Sequence, residues 1–225
     1  MRRKGPLQAA VDRFHPGMLN ARPVLLNSRP PRDNETHGKH FYFLPRALIT
    51  ALHSSQNFVV SPVRSDWQAI DLSQVEELLA SNRLVFAEVY YTFGPTLKEC
   101  ARHFAISTVF LLPVPLVTPA QEIINTMRAK LKARATDSEN KIEERAQLAP
   151  QEMKEAESYT HHLLNLATED NIEEWGDLGT RNRKRGERII RTPEDLGPNA
   201  KWLVETFLKI LRGELPPGNH ARPTV

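Results

Sequence analysis

The chain has 225 residues, of which 25 % are charged and 40 % hydrophobic, the balance of a soluble globular protein with room for one α/β domain. No run of 18 apolar residues occurs, so no membrane span is expected, and Cys100 as the only cysteine excludes an internal disulfide or a zinc cluster. With a net charge of +3 and a basic start that no apolar segment follows, we expect an intracellular protein, either cytoplasmic or carried to an organelle by that start.

The first half of the chain alternates short apolar runs with helical patterns. We expect helices over residues 7–14, 45–53, 72–80 and 96–103, and strands over residues 24–26, 41–43, 58–60, 84–91 and 107–112. The near-continuous apolar run at 84–91 is typical of a central strand covered on both faces. This alternation predicts a largely parallel sheet with right-handed crossovers.

The second half is mainly helical. Residues 119–157 carry a helical pattern that is interrupted at Thr136-Asp137-Ser138, and the polar helix from residue 140 to 157 is either a mobile cover or a solvated surface helix. A last strand is expected at 162–167, a charged excursion at 169–197, an amphipathic helix at 200–212 and a flexible tail at 214–225.

The stretch with the clearest chemistry is residues 28–35, in which Arg29 and Arg32 flank the proline pair Pro30-Pro31. Prolines fix the backbone, so two guanidinium groups on such a loop can form a preorganised clamp for a phosphate. The alternative is an ordinary proline-rich turn with solvated arginines. The loop follows the strand predicted at 24–26, which is the usual place for ligands in open α/β sheets.

Residues 27–35 and 38–43 resemble the monophosphate-binding loop of guanylate kinases, whose pattern is Thr-Thr-Arg-x-Pro-Arg-x-Gly-Glu followed by Gly and Tyr-x-Phe. Residues 131–137 and 142–145 resemble the lid of the same family. The resemblance implies a P-loop-kinase-like parallel sheet flanked by helices over residues 1–213, with a monophosphate-binding lobe at about 27–80 and a helical lid at about 131–157. It also implies phosphate- or nucleotide-binding residues, which are Arg29, Arg32, Glu35, Arg134 and Arg145, with Tyr42 beside the position where the family's phosphate-binding tyrosine is replaced by Phe41.

Several family positions differ in this chain. The first strand and its Gly-rich phosphate loop have no counterpart, because Leu7 aligns just after that motif. The guanine-reading glutamate corresponds to Val60, the Tyr-Gly-Ser after it to residues 69–71, and the acidic Asp-x-Asp strand to residues 89–91, which leaves Glu88 as the nearest acid. The asparagine that approaches adenine is not evident around Ala167. Loss of the first strand would open hydrogen-bonding edges beside residues 24–26 and 109–112.

The resemblance with these departures implies a guanylate kinase-like pseudoenzyme, a binding or assembly module without a confident catalytic residue, metal or cofactor. Its arginine-lined pocket would take a phosphate, a mononucleotide or a phosphorylated or acidic segment of a partner, and a protein partner or a second copy would cover the open edge. One alternative is a genuine GMP kinase, truncated as given, which would use ATP and Mg²⁺. Another is a structural subunit of a larger assembly that contacts nucleic acid through residues 181–191 and the tail.

Overall fold

The computed structural model describes residues 5–33, 35–101, 103–134, 138–169, 171–179 and 188–220. They form two compact units, which are treated separately below: an N-terminal unit of residues 15–106, and a C-terminal unit that combines the start of the chain up to Phe14 with the residues from Ser107 onwards. No helix in the described ranges is both long enough and apolar enough to cross a membrane.

The helices are α1 (Pro6–Phe14), α2 (Arg46–Ala51), α3 (Leu72–Ser81), α4 (Phe93–Cys100), α5 (Ala120–Arg134), α6 (Glu139–Glu155), α7 (Ile172–Trp175) and α8 (Pro198–Leu211). The strands are β1 (Leu26–Asn27), β2 (Tyr42–Phe43), β3 (Phe58–Val63), β4 (Asp66–Asp71), β5 (Val109–Leu112), β6 (His161–Leu164) and β7 (Gly218–His220). The sequence pattern therefore located the main helices correctly, with small shifts at their ends.

The N-terminal unit contains a four-stranded mixed sheet in the order β2-β1-β4-β3. Strand β1 pairs in parallel with β2 and antiparallel with β4, and β3 and β4 form a hairpin. The turn of that hairpin places Arg64 at φ 59°, in the left-handed region that two-residue hairpin turns require. Residues 28–35, called the arginine loop below, directly follow β1, which is an inner strand of this sheet.

The two faces of this sheet bury different apolar clusters, because side chains alternate along each strand. On one face α2 brings Ile49 against Leu26, Val60 and Ala69. On the other face Val59 and Ile70 pack with Phe41 and with Phe93 from α4. Because side chains alternate between the two faces, Phe41 and Phe43 lie on one face and Tyr42 on the other.

The C-terminal unit contains a parallel sheet in the order β5-β6-β7, flanked by helices. Leu112 of β5 and Leu164 of β6 pack against Ile123 of α5 and against Ala149 and Met153 of α6. Near the start of the chain, Arg13 of α1 donates to Asp177 Oδ1 (2.9 Å) and to the Ile190 carbonyl (2.7 Å). Strand, flanking helices and parallel pairing agree with the predicted α/β class.

Four local expectations differ from the structure. The central strand predicted at 84–91 is wrong, because residues 84–90 have no regular secondary structure and Phe86 N–H donates to the Ala21 carbonyl (2.9 Å) rather than to a strand ladder. Strand β4 was not predicted as a strand. The open edge expected beside residues 24–26 is not found at β1, since β2 and β4 pair with both of its sides. Within the expected flexible tail, Gly218–His220 pair with β6 as β7.

Candidate anion-binding site

Side chains of the sheet hold the start of the arginine loop. The buried Asn27 accepts the Arg29 amide on Oδ1 (3.0 Å), and Ser28 Oγ accepts the Trp67 amide (2.8 Å) while it donates to Asp66 Oδ1 (3.2 Å). A loop whose first residues are tied to β1 and β4 in this way has little freedom where it leaves the sheet. The hydroxyl of Ser28 is consequently occupied by partners within the protein.

Arg29 is held on three sides. Its two terminal nitrogens donate to the two carboxylate oxygens of Glu35, each at 2.6 Å, and Nη1 also donates to the Pro30 carbonyl (2.9 Å). The guanidinium carbon lies 5.3 Å from the Phe41 ring centre and 5.5 Å from that of Phe43, within the range of a cation–π contact. Arg29 is therefore a fixed element of the loop.

Glu35 joins both halves of the loop. Besides the two bonds from Arg29, its Oε2 accepts the backbone amide of Arg32 (2.9 Å). The hydrogen bond from Arg29 and that from the Arg32 amide lower the pKa of Glu35 to about 2, against the opposing effect of burial. The carboxylate is thus ionised at any physiological pH.

Arg32 presents its guanidinium to solvent at the outer turn of the loop. Its side chain is exposed and, within the described part of the chain, makes no hydrogen bond or ion pair. Asp33 beside it is also exposed, and with Glu35 it balances the formal charge of the two arginines. The loop therefore offers an anion the whole guanidinium of Arg32 in a locally neutral setting, while Arg29 is partly occupied by Glu35.

Tyr42 does not reach this loop. Arg29 lies against Phe41 and Phe43, and the residue between them points to the opposite face of the strand. There the Tyr42 ring packs against the cluster of Leu26, Val60 and Ala69 and meets the His37 ring edge-on at 5.6 Å. Its hydroxyl cannot replace the one that Phe41 lacks.

The positions that resemble the guanine-reading residues carry no polar group for a base. Val60 and Ala69 lie opposite each other across the β3–β4 ladder, and they are 4 % and 0 % exposed. Asp71 is polar, but its carboxylate accepts the Ser73 amide and caps α3. This face of the sheet is an apolar core.

The two lid-like helices pack together within the C-terminal unit. Arg128 of α5 forms a two-point pair with Glu143 of α6 (2.7 and 2.8 Å), and Gln147 donates to the same carboxylate, so the pKa of Glu143 falls to about 2. Arg145 lies half-buried on α6, and Arg134 ends α5, although its side chain and residues 135–137 are outside the described part. The structure thus holds Arg29 and Glu35 together in one unit and Arg145 in the other.

Asn165 is a polar residue that the sequence pattern missed. It directly follows β6, at the carboxyl end of the parallel sheet, and its Oδ1 is buried with no hydrogen-bond partner among the described residues. Lys130 of α5 donates to the Asn165 carbonyl (3.1 Å) and to the Pro113 carbonyl (2.8 Å), and burial lowers its pKa. A strand boundary at Leu164 instead of Ala167 would have directed attention to Asn165, which is the first residue after that strand.

The described ranges contain no group of three or more His, Cys, Asp or Glu side chains placed to hold a metal ion.

The model for the guanylate kinase family matches residues 7–178. The guanylate kinase of Wolbachia from Brugia malayi is 28 % identical over 163 residues, covering 72 % of this chain and 79 % of that protein. The guanylate kinase of Xylella fastidiosa strain Temecula1 is 26 % identical over 163 residues, or 72 % of this chain and 75 % of that protein.

Among solved structures, the guanylate kinase of Anaplasma phagocytophilum matches 93 % of this chain and 79 % of its own chain with a TM-score of 0.55. The sequence identity in that comparison is 14 %. The likeness therefore concerns the fold, which is the P-loop kinase fold. Site chemistry has to be argued from the side chains described above.

Proposed function

Because this chain belongs to the guanylate kinase family, we propose that it acts as a guanylate kinase-like binding or assembly module for a phosphate-bearing ligand, rather than as a kinase that selects GMP. The proposal has two parts. The loop around Arg32 recognises a phosphate group, and the face that would read a guanine base does not do so.

The observation that carries the proposal is the apolar burial of Val60 and Ala69. The Watson–Crick edge of guanine presents N–H donors, and a site that selects guanine must supply acceptors for them. A buried donor without an acceptor costs about 1–3 kcal/mol, and such unpaired groups are the usual basis of strong discrimination. A face lined by Val60, Ala69 and Ile49 offers no acceptor from a side chain.

Phosphate recognition is supported by the loop itself. Arg32 is exposed, while the Arg29–Glu35 pair and the Glu35 bond to the Arg32 amide hold the backbone that carries it. A preorganised arginine loses less conformational entropy on binding a phosphate than one on a flexible loop does. The ligand would be a mononucleotide, another phosphate monoester or a phosphorylated segment of a protein.

The assembly role is supported by β5, which is one of the two outer strands of the β5-β6-β7 sheet in the described residues. Its Leu111 is 43 % exposed. A strand of a partner, of a second copy or of this chain's own N-terminal segment would pair with that edge. A chain that stays monomeric at high concentration and exposes no apolar surface would contradict this role.

A genuine GMP kinase is the second candidate, and Arg145 on α6 together with Asn165 after β6 favours it. The 225 residues contain no Gly-x-x-Gly-x-Gly-Lys-Ser/Thr segment, so this candidate requires such a segment upstream of them. The third candidate, a nucleoprotein subunit, depends on residues 181–191 and the tail, of which 181–187 and 221–225 lie outside the described part. It would show binding that weakens steeply with salt.

The test is a calorimetric titration with GMP and with ribose 5-phosphate, which carries the same kind of phosphate without a base. We expect similar affinities for the two ligands, loss of both in Arg32→Ala, and little change in Arg83→Ala, which removes an exposed arginine elsewhere in the N-terminal unit. GMP that binds at least about tenfold more tightly than ribose 5-phosphate would refute the loss of guanine selection. If neither GMP nor ribose 5-phosphate binds, the proposed phosphate site is refuted.

A further inference from the structure

The geometry points to Glu35 as a positioning residue: it does not touch the ligand, but it fixes the guanidinium of Arg29 and the backbone that carries Arg32. This inference rests on the proposed phosphate site and deepens it. The resemblance to the family suggested a common role in ligand binding for Arg29, Arg32 and Glu35, whereas the hydrogen bonds separate the three.

Both carboxylate oxygens of Glu35 are committed within the protein. Oε1 accepts Arg29 Nη2, and Oε2 accepts both Arg29 Nη1 and the Arg32 amide. One side chain therefore fixes the plane of the Arg29 guanidinium and the backbone from which Arg32 projects. A ligand phosphate would be repelled by this carboxylate, so Glu35 serves binding only through the two arginines.

The free directions around Arg29 follow from the same contacts. Glu35 takes the end edge formed by Nη1 and Nη2, the Pro30 carbonyl takes the second proton of Nη1, and the Phe41 and Phe43 rings lie within cation–π distance of the guanidinium. Among the described residues, Nε and the second proton of Nη2 have no acceptor. These two N–H groups form the side edge, which can bind a phosphate at two points.

The alternative role for Glu35 is that its negative charge weakens phosphate binding, and this role predicts the opposite effect of a substitution. If its charge simply competes with the ligand, any loss of negative charge in the loop strengthens phosphate binding. Asp33 provides the matched control, because it is exposed and makes no hydrogen bond within the described part of the chain. Asp33→Asn removes the same charge two residues away without a change in the contacts of Arg29.

The experiment titrates the chain and its variants with inorganic phosphate by calorimetry. We expect Glu35→Gln to weaken binding by about tenfold or more, the equivalent of one charge-assisted hydrogen bond, and Asp33→Asn to leave it unchanged or tighter. Glu35→Asp keeps the charge but is one methylene too short for both arginine contacts, so it should weaken binding as well. Binding by Glu35→Gln that is unchanged, or as tight as in Asp33→Asn, would overturn the inference.

A second measurement needs no ligand. In the NMR spectrum of the free chain, the Nη1 and Nη2 groups of Arg29 should give separate N–H signals because rotation of the guanidinium is slow. Glu35→Gln should merge or broaden these signals, while Asp33→Asn should preserve their separation. If the Arg29 guanidinium rotates at the same rate in Glu35→Gln as in the original chain, Glu35 does not position Arg29, whatever the result of the phosphate titration. If the original chain binds no phosphate, the proposed function and the ligand contact of Arg29 both fail, whereas this signal still decides whether Glu35 positions Arg29.

Discussion

Replacement of Arg29 by alanine should destabilise the N-terminal unit far more than replacement of Arg32. The two residues are three positions apart in one loop, and a solvated-turn interpretation predicts the same small effect for both. In the structure, Arg29 is bound by Glu35 and faces two aromatic rings, while the Arg32 side chain extends into solvent. The comparison therefore tests whether the loop is built around Arg29.

The size of the effect follows from the burial of the pair. An exposed ion pair contributes about 0–1 kcal/mol, whereas a hydrogen bond to a charged group contributes about 1.5–3 kcal/mol. The side chains of Arg29 and Glu35 are 18 % and 14 % exposed, which places their pair between these limits, at about 2 kcal/mol. The ring contacts add about 1 kcal/mol. We expect a loss of about 3 kcal/mol for Arg29→Ala and within about 0.5 kcal/mol for Arg32→Ala.

The assay is hydrogen exchange of the β1 and β4 amides, which reports the free energy of the openings that expose this sheet. It is repeated in acid, because the pKa of Glu35 is lowered from 4.5 to about 2. A carboxyl group with a lowered pKa stabilises the fold fully above pH 4.5 and loses that contribution as the pH falls towards 2. The difference between the original chain and Arg29→Ala should shrink accordingly. Equal stability of the two alanine variants, or a difference independent of pH, would refute the reasoning.

Three further substitutions test other parts of the fold. Val60→Glu buries a carboxylate in the apolar cluster, so it should cost at least about 3 kcal/mol in thermal denaturation without creating GMP binding, while Val60→Thr should be milder. Burial, together with the charge of a neighbouring histidine, lowers the pKa of His220 from 6.5, so the protection of the β6 amides relative to their intrinsic exchange rate should decrease as the pH falls below 6.5, and His220→Asn should remove that decrease. Gly197→Ala places a Cβ 2.6 Å from a backbone carbonyl and should cost about 1–3 kcal/mol, whereas Gly5→Ala, with nothing within 4 Å, should be neutral in the same melt.

Sequence patterns located the helices well because helical periodicity extends over many residues. They failed at 84–91, where a continuous apolar run fits a buried strand and a buried irregular segment equally well. They also missed β4, since its hairpin turn contains Arg64 in the left-handed region instead of the glycine or asparagine that marks such turns. A strand is stabilised by pairing with segments that can be distant in the sequence, so the pattern of neighbouring residues alone does not predict the pairing.

The candidate site shows the same division. Arg29 and Arg32 were predicted from their spacing and from the prolines between them, and Glu35 from the resemblance to guanylate kinases; the structure joins the three by hydrogen bonds within one loop. The different contacts of these three residues could not be predicted, because the sequence gives the charge of each side chain but not its hydrogen-bond partners. The alternation that turns Tyr42 away from Arg29 was available from the sequence once Phe41 and Phe43 are assigned to one face.

The pairing of β7 with β6 bears on how this protein is handled in the laboratory. A chain cut back at Gly213 to remove a supposed loose end would lose Gly218–His220 and uncover the hydrogen-bonding groups of β6 on that side. It would also lose the contact between His161 and His220, whose ring nitrogens are 3.1 Å apart. The shortened chain would expose an unpaired strand edge, and its aggregation would be a consequence of the truncation.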